Sequence, residues 1–118
     1  MKKFLFMGAF AFTLFLVQCK KDAIDTIVCT GTTPTYGANV KAIMDASCAL
    51  SGCHNAASKK SGYDLSSYAG TSAGAAKTAF LGSVQHKSGY STMPQSASQL
   101  SSAQLTTLAC WVQNSTPQ

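Results

Sequence analysis

Cys48-Ala-Leu-Ser-Gly-Cys53-His54 is the stretch that most constrains how this chain can fold, because it places two thiols and an imidazole within seven residues. Side chains that close together have to be presented by one local turn, and the rest of the molecule has to enclose whatever they form or hold. The chain has 118 residues, enough for one domain. An ordered domain of about 80 residues sits at the size where a hydrophobic core alone is marginal, so a covalent staple or a buried cofactor is expected. The five cysteines are where such a staple would be found.

The first residues are not part of that domain. Met1-Lys2-Lys3 forms a short positive region, and Phe4 to Val17 is an apolar run of fourteen residues, too short to span a bilayer and fitting a signal-peptide core. Leu16-Val17-Gln18-Cys19, followed by Lys20-Lys21-Asp22, resembles a bacterial lipobox, with Gln18 departing from the small residue usual before the cysteine. Residues 1–18 are then a lipoprotein signal peptide, Cys19 is the lipidated first residue of the mature chain, and residues 19–35 are a lipid-anchored tether. An ordinary cleaved signal or an uncleaved anchor would export the chain equally. Lys20 after Cys19 is not an inner-membrane retention signal of the enteric type, which favours the outer membrane, on its periplasmic or surface face. Seven lysines against four aspartates leave the mature 100 residues at +3. No stretch interleaves basic and aromatic residues as a nucleic-acid surface would, so no nucleic-acid partner is expected.

Residues 36–118 form the domain. Val40, Ile43 and Met44 lie at helical spacing, which predicts a helix over 37–47 running directly into Cys48. Ile24, Ile27 and Val28 are expected to pack on the domain edge before Cys29. Residues 55–62 read as loop. Asp64 is placed to cap a short helix through Tyr68, broken at Gly70, and Thr71 or Ser72 to cap a helix over 73–84 with Ala76, Phe80, Leu81 and Val84 on its apolar face. Residues 85–99, with His86, Tyr90 and Met93-Pro94, are a long loop, and such a loop in a small domain is functional or disordered. Ser101 with Gln104 makes a capping box, and Leu105, Leu108, Ala109 and Val112 continue a helix over 102–114. No strand pattern and no repeat occurs, so the fold class is all-α.

The chemistry lies at the cysteines. A Cys-Xaa-Xaa-Cys-His run marks c-type haem: each thiol adds across a haem vinyl group, and the adjacent His is delivered beneath the iron as proximal ligand. Here four residues separate Cys48 from Cys53, His54 still follows directly, and Ser51-Gly52 lets the extra backbone loop out. Iron held by a His on one face needs a sixth ligand or an open site. Met93-Pro94, 39 residues beyond His54 and past a helix, is placed for a thioether arriving from the opposite side of the haem. His86, seven residues before Met93, is the rival ligand and would give bis-His coordination at lower potential. Other readings of the same residues are a Cys48–Cys53 disulfide with His54 merely beside it, a zinc site completed by His86 and another cysteine, and Met93 packed on the core. Tyr63, Tyr68 and Trp111 fit the haem edge or the core equally, and Met44 fits the core. Asp22, Asp25, Asp45 and Asp64 form no obvious pair and no nucleophile motif occurs, so an enzyme is not expected.

A helix into Cys…Cys-His, then Gly62-Tyr63-Asp64-Leu65-Ser66-Ser67-Tyr68, a Met-Pro loop, and Leu100-Ser101 leading into a helix with Trp111 resembles class I cytochrome c domains. More narrowly, residues 29–114 are similar to small exported cytochrome c lipoproteins of the Bacteroidetes type; the Cys-x4-Cys spacing departs from the wider family. The resemblance implies three to four helices around one covalent haem c on Cys48 and Cys53, His54 as proximal ligand and Met93 as distal ligand. It also implies that the first and last helices cross, which would bring Cys29 and Cys110 together as a disulfide. The implied activity is electron transfer by a monomer with redox protein partners of the cell envelope. The alternatives are a haem-free, disulfide-stapled lipoprotein acting as a binding module, and a haem protein with an open distal site.

Overall fold

The computed structural model describes residues 20–118; the signal peptide expected at 1–18 and the lipidation expected at Cys19 lie outside the described residues. The capping box forms as its residues dictate: the Gln104 N–H donates to Ser101 Oγ at 3.3 Å and the Ser101 N–H donates to Gln104 Oε1 at 3.0 Å. Helix α4 (Ser102–Gln113) follows, with Leu108, Ala109, Cys110 and Trp111 buried. Three shorter α-helices precede it, α1 (Lys41–Ser47), α2 (Tyr68–Ala75) and α3 (Ala79–Val84), with a 3-10 turn, Lys60–Gly62, at the end of the stretch read as loop, and there is no strand among the described residues. The fold is all-α.

The first helix begins as a π-helical turn, Tyr36–Val40, whose start is capped by Thr35 Oγ1 accepting from the Ala38 N–H. Its continuation into α1 buries Tyr36, Val40, Ile43 and Met44, an apolar stripe at i, i+4, i+7 and i+8. That stripe packs on α4 around Trp111, which is fully buried. The Trp111 indole N–H donates to the Pro117 carbonyl at 2.7 Å, and the Tyr36 N–H donates to the same oxygen at 2.9 Å. Tyr68 Oη donates to the Thr116 carbonyl at 2.8 Å. The tail that ends α4 thus ties the start of the first helix, α2 and α4 together.

Two helix expectations are corrected. Asp64 caps no helix; its carboxylate accepts from the Ser66 N–H and hydroxyl, which holds that carboxyl below its usual range, and Ser67 takes the cap of α2. Gly70 does not break the helix. A Cβ there would fall on the Asp64 carbonyl oxygen, so the glycine is needed for a close crossing of two backbone segments. The single helix expected over 73–84 is two: α2 ends at Ala75 and the chain turns through Ala76–Thr78, with the Lys77 N–H on the Gly74 carbonyl, before α3 starts. α2 buries only Thr71, Gly74 and Ala75, too small a face to dictate where it stops, and Ala76 is exposed.

Residues 20–29 have neither helix nor strand, yet they are laid along the domain. Gln85 uses its amide to bond both the N–H and the C=O of Asp25, at 2.7 and 3.1 Å, and Gln113 Nε2 donates to the Ile27 carbonyl at 3.1 Å. Ile24 and Ile27 are half-buried, but Val28 is 81% exposed and does not pack on the domain edge: these contacts hold the segment by its backbone. Cys29 is joined to Cys110 of α4 by a disulfide with Cα atoms 5.5 Å apart, closing a sequence separation of 81. Removing it in a Cys29→Ser variant is expected to lower unfolding stability by about 2–5 kcal/mol, read as a shift in the urea midpoint with helical content retained below the transition.

Candidate functional site

The turn after α1 shows how the long cysteine spacing is accommodated. The Cys48 and Ala49 N–H groups close on the Met44 carbonyl at 2.9 and 2.7 Å, and the His54 N–H returns to the Cys48 carbonyl at 3.2 Å. Between these points Leu50, Ser51 and Gly52 bulge into solvent, with Gly52 at φ +76°, a left-handed conformation that glycine adopts without strain. Gly52 donates to Ser58 Oγ at 2.8 Å, which pins the bulge. The extra residues are therefore spent on the surface, and Cys48 and His54 end up hydrogen-bonded neighbours despite being six positions apart.

His54 is 9% exposed, and its Nδ1 is buried with no hydrogen-bond partner among the described residues. The ring stands edge-on to Tyr63, centroids 6.2 Å apart. Its backbone is held on both sides, the carbonyl accepting from the Leu65 N–H at 2.7 Å. The Cys48 and Cys53 thiols are not joined to each other or to another cysteine. Burial, and secondarily the adjacent Cys53, push the Cys48 thiol up to about 11, so near neutral pH it is protonated.

Cys48, Cys53, His54 and Met93 all line one cavity of about 330 Å³, within the range of small-ligand and cofactor pockets of about 300–1,000 Å³. Leu65, Phe80, Val84 and Tyr90 supply apolar wall, while exposed Lys77 and Gln95 mark where it opens to solvent. Met93 is half-buried and joined to Pro94 by a cis peptide. His86 does not line the cavity; its Nε2 lies 3.0 Å from the Met93 carbonyl oxygen. Of the aromatic candidates, Tyr63 lines the cavity, whereas Tyr68 and Trp111 belong to the core beneath α4.

No family model, curated protein or solved structure matches this chain. Among the described residues no group of three or more His, Cys, Asp or Glu converges as a bare metal ion would require. A haem asks less of the protein, since the macrocycle fills the equatorial positions and only axial ligands come from side chains. The residues present fit that group: a buried imidazole with an unpartnered nitrogen, two separate thiols and a thioether share one largely apolar cavity.

Lys21 was not foreseeable as a site residue. It lines the cavity with its ammonium 4.9 Å from the centre of the Tyr90 ring, a cation–π contact between positions 69 residues apart. Local sequence pattern carries no signal for such a contact. Of the two ion pairs among the described residues, Lys41–Asp45 and Lys87–Asp25, neither involves Lys21 or Lys77. In haem-free protein, iodoacetamide at pH 8 is expected to alkylate half-buried Cys53 before Cys48, whose thiol is buried and almost wholly protonated; mass-mapped labelling over time checks the order.

Proposed function

We propose that this chain is a monohaem c-type cytochrome, an exported and lipid-anchored electron carrier of the cell envelope with a cytochrome c-like fold. The observation that carries the reading is that Cys48, Cys53, His54 and Met93, drawn from two segments far apart in sequence, line one cavity. When bound, the haem supplies one-electron exchange at its iron, ferric to ferrous and back.

The chain's own residues divide the remaining tasks. Cys48 and Cys53, both free and both lining the cavity, would hold the haem through two thioether bonds. His54 offers a buried imidazole as proximal ligand, oriented by backbone bonds to Cys48 and Leu65. Met93 would hold the metal through its thioether, a soft donor that would favour the reduced state and raise the potential. Leu65, Phe80 and Val84 give the cavity an apolar wall, which would lower the polarity around the group held there. Lys21 and Lys77 line the same cavity and would offer positive charge to acidic substituents of the bound group.

Co-expression with export and c-type maturation factors tests the reading. Wild-type protein should keep haem through denaturation and show a reversible one-electron couple. The Cys48→Ala/Cys53→Ala double variant should lose all haem on denaturation, and Met93→Ala should keep covalent haem with a lowered midpoint potential. Colourless wild-type protein under these conditions would leave a disulfide-stapled, haem-free lipoprotein as the better description.

A further inference from the structure

We infer that His86 is the positioning residue for Met93, set at a helix end that would suit glycine because its ring clamps the Met93 backbone; the inference rests on the reading of Met93 as an iron ligand. Helix α3 closes with two bonds, the His86 N–H to the Ser83 carbonyl at 3.2 Å and the Lys87 N–H to the Gly82 carbonyl at 3.0 Å. This pairing requires a left-handed residue just past the helix, a place filled usually by Gly and sometimes by Asn. His86 fills it at φ +53°. A side chain with a Cβ is strained in that conformation, so its presence calls for a compensating interaction.

That interaction is the contact of His86 Nε2 with the Met93 carbonyl at 3.0 Å. A carbonyl only accepts, so Nε2 carries the hydrogen and donates. The Met93 N–H in turn donates to the Ser83 carbonyl at 3.1 Å. Both backbone polar groups of Met93 are therefore tied to the last turn of α3, within a loop over 85–99 that has no helix or strand of its own.

The turn that carries His86 is itself braced from the other side. The Gln85 side chain holds the Asp25 backbone at 2.7 and 3.1 Å, Lys87 Nζ lies 2.7 Å from the Asp25 carboxylate, and Ser88 exchanges two bonds with Asp22 at 3.0 and 3.2 Å. Residues 22–25 thus fix Gln85–Ser88, His86 fixes Met93, and the thioether is presented to the cavity from a rigid point. His86, absent from the cavity wall, acts through Met93.

The test compares His86→Gly, which relieves the backbone and removes the ring, with His86→Gln, whose amide nitrogen occupies the place of Nε2 as a donor. Both are made in the exported full chain as purified, beside wild type and Met93→Ala. His86→Gly is expected to melt at the wild-type temperature or above it while exchange of the Met93 amide hydrogen speeds up about five- to tenfold, the loss of roughly one hydrogen bond. In the haem-loaded chain its midpoint potential moves toward that of Met93→Ala, and His86→Gln keeps both properties near wild type. Unchanged Met93 exchange in His86→Gly overturns the clamp, as does a lowered melting temperature with exchange unchanged, which would assign the ring to packing. A potential that shifts with His86→Gly but not with Met93→Ala overturns it by making His86 the ligand. Failure of the wild-type chain to take haem would refute the cytochrome reading alone, because exchange and melting still decide whether the clamp exists.

Discussion

Burial of the His54 imidazole is the constraint to which the surrounding structure answers. A ring nitrogen removed from water without a hydrogen-bond partner costs about 1–3 kcal/mol. The chain accepts this cost where two free thiols and a thioether line the same cavity. The ring cannot drift to relieve itself, since the bonds from the His54 N–H to Cys48 and from Leu65 to the His54 carbonyl fix its backbone between the end of α1 and the segment packed near α2. Under the proposed function the imidazole would be an iron ligand.

A chain this short holds such a cavity only because its core is closed covalently and by its tail. The Cys29–Cys110 disulfide contributes about 4.5 kcal/mol in the chain-entropy description of a loop this long. The Pro117 carbonyl, shared by Trp111 and Tyr36, joins the two ends of the domain at its largest fully buried side chain. With the two terminal elements locked together, the segment between them is free to be built from small residues and irregular loops. These carry the cavity wall: Met93 from the loop after α3, Cys48 and Cys53 from the loop after α1.

The parts legible in the sequence are those that local periodicity or capping decides. The capping box at Ser101, the stripe Val40–Ile43–Met44 and the bulge at Gly52 all follow from residues within a turn or two of one another. The break between α2 and α3 was not legible, because neither helix has an apolar face large enough to mark its end and packing sets the boundary. Gly70 misled for a related reason: its small size serves a crossing with Asp64, a contact that no helical pattern encodes. At the site, Cys48, Cys53, His54 and Met93 were named from motif chemistry, but the choice between Met93 and His86 depends on a loop folding back on α3, and Lys21 reaches the cavity from a segment that looks like pure tether.

Peptide mass mapping of the exported chain, matured with c-type assembly factors, tests the central claim most directly. Trypsin should release residues 42–59, between Lys41 and Lys59, as one peptide containing Cys48, Cys53 and His54. The proposed function predicts that this peptide carries the mass of one haem and offers no thiol to alkylation. The same peptide found without haem, with two alkylated cysteines or with a disulfide between them, would contradict it.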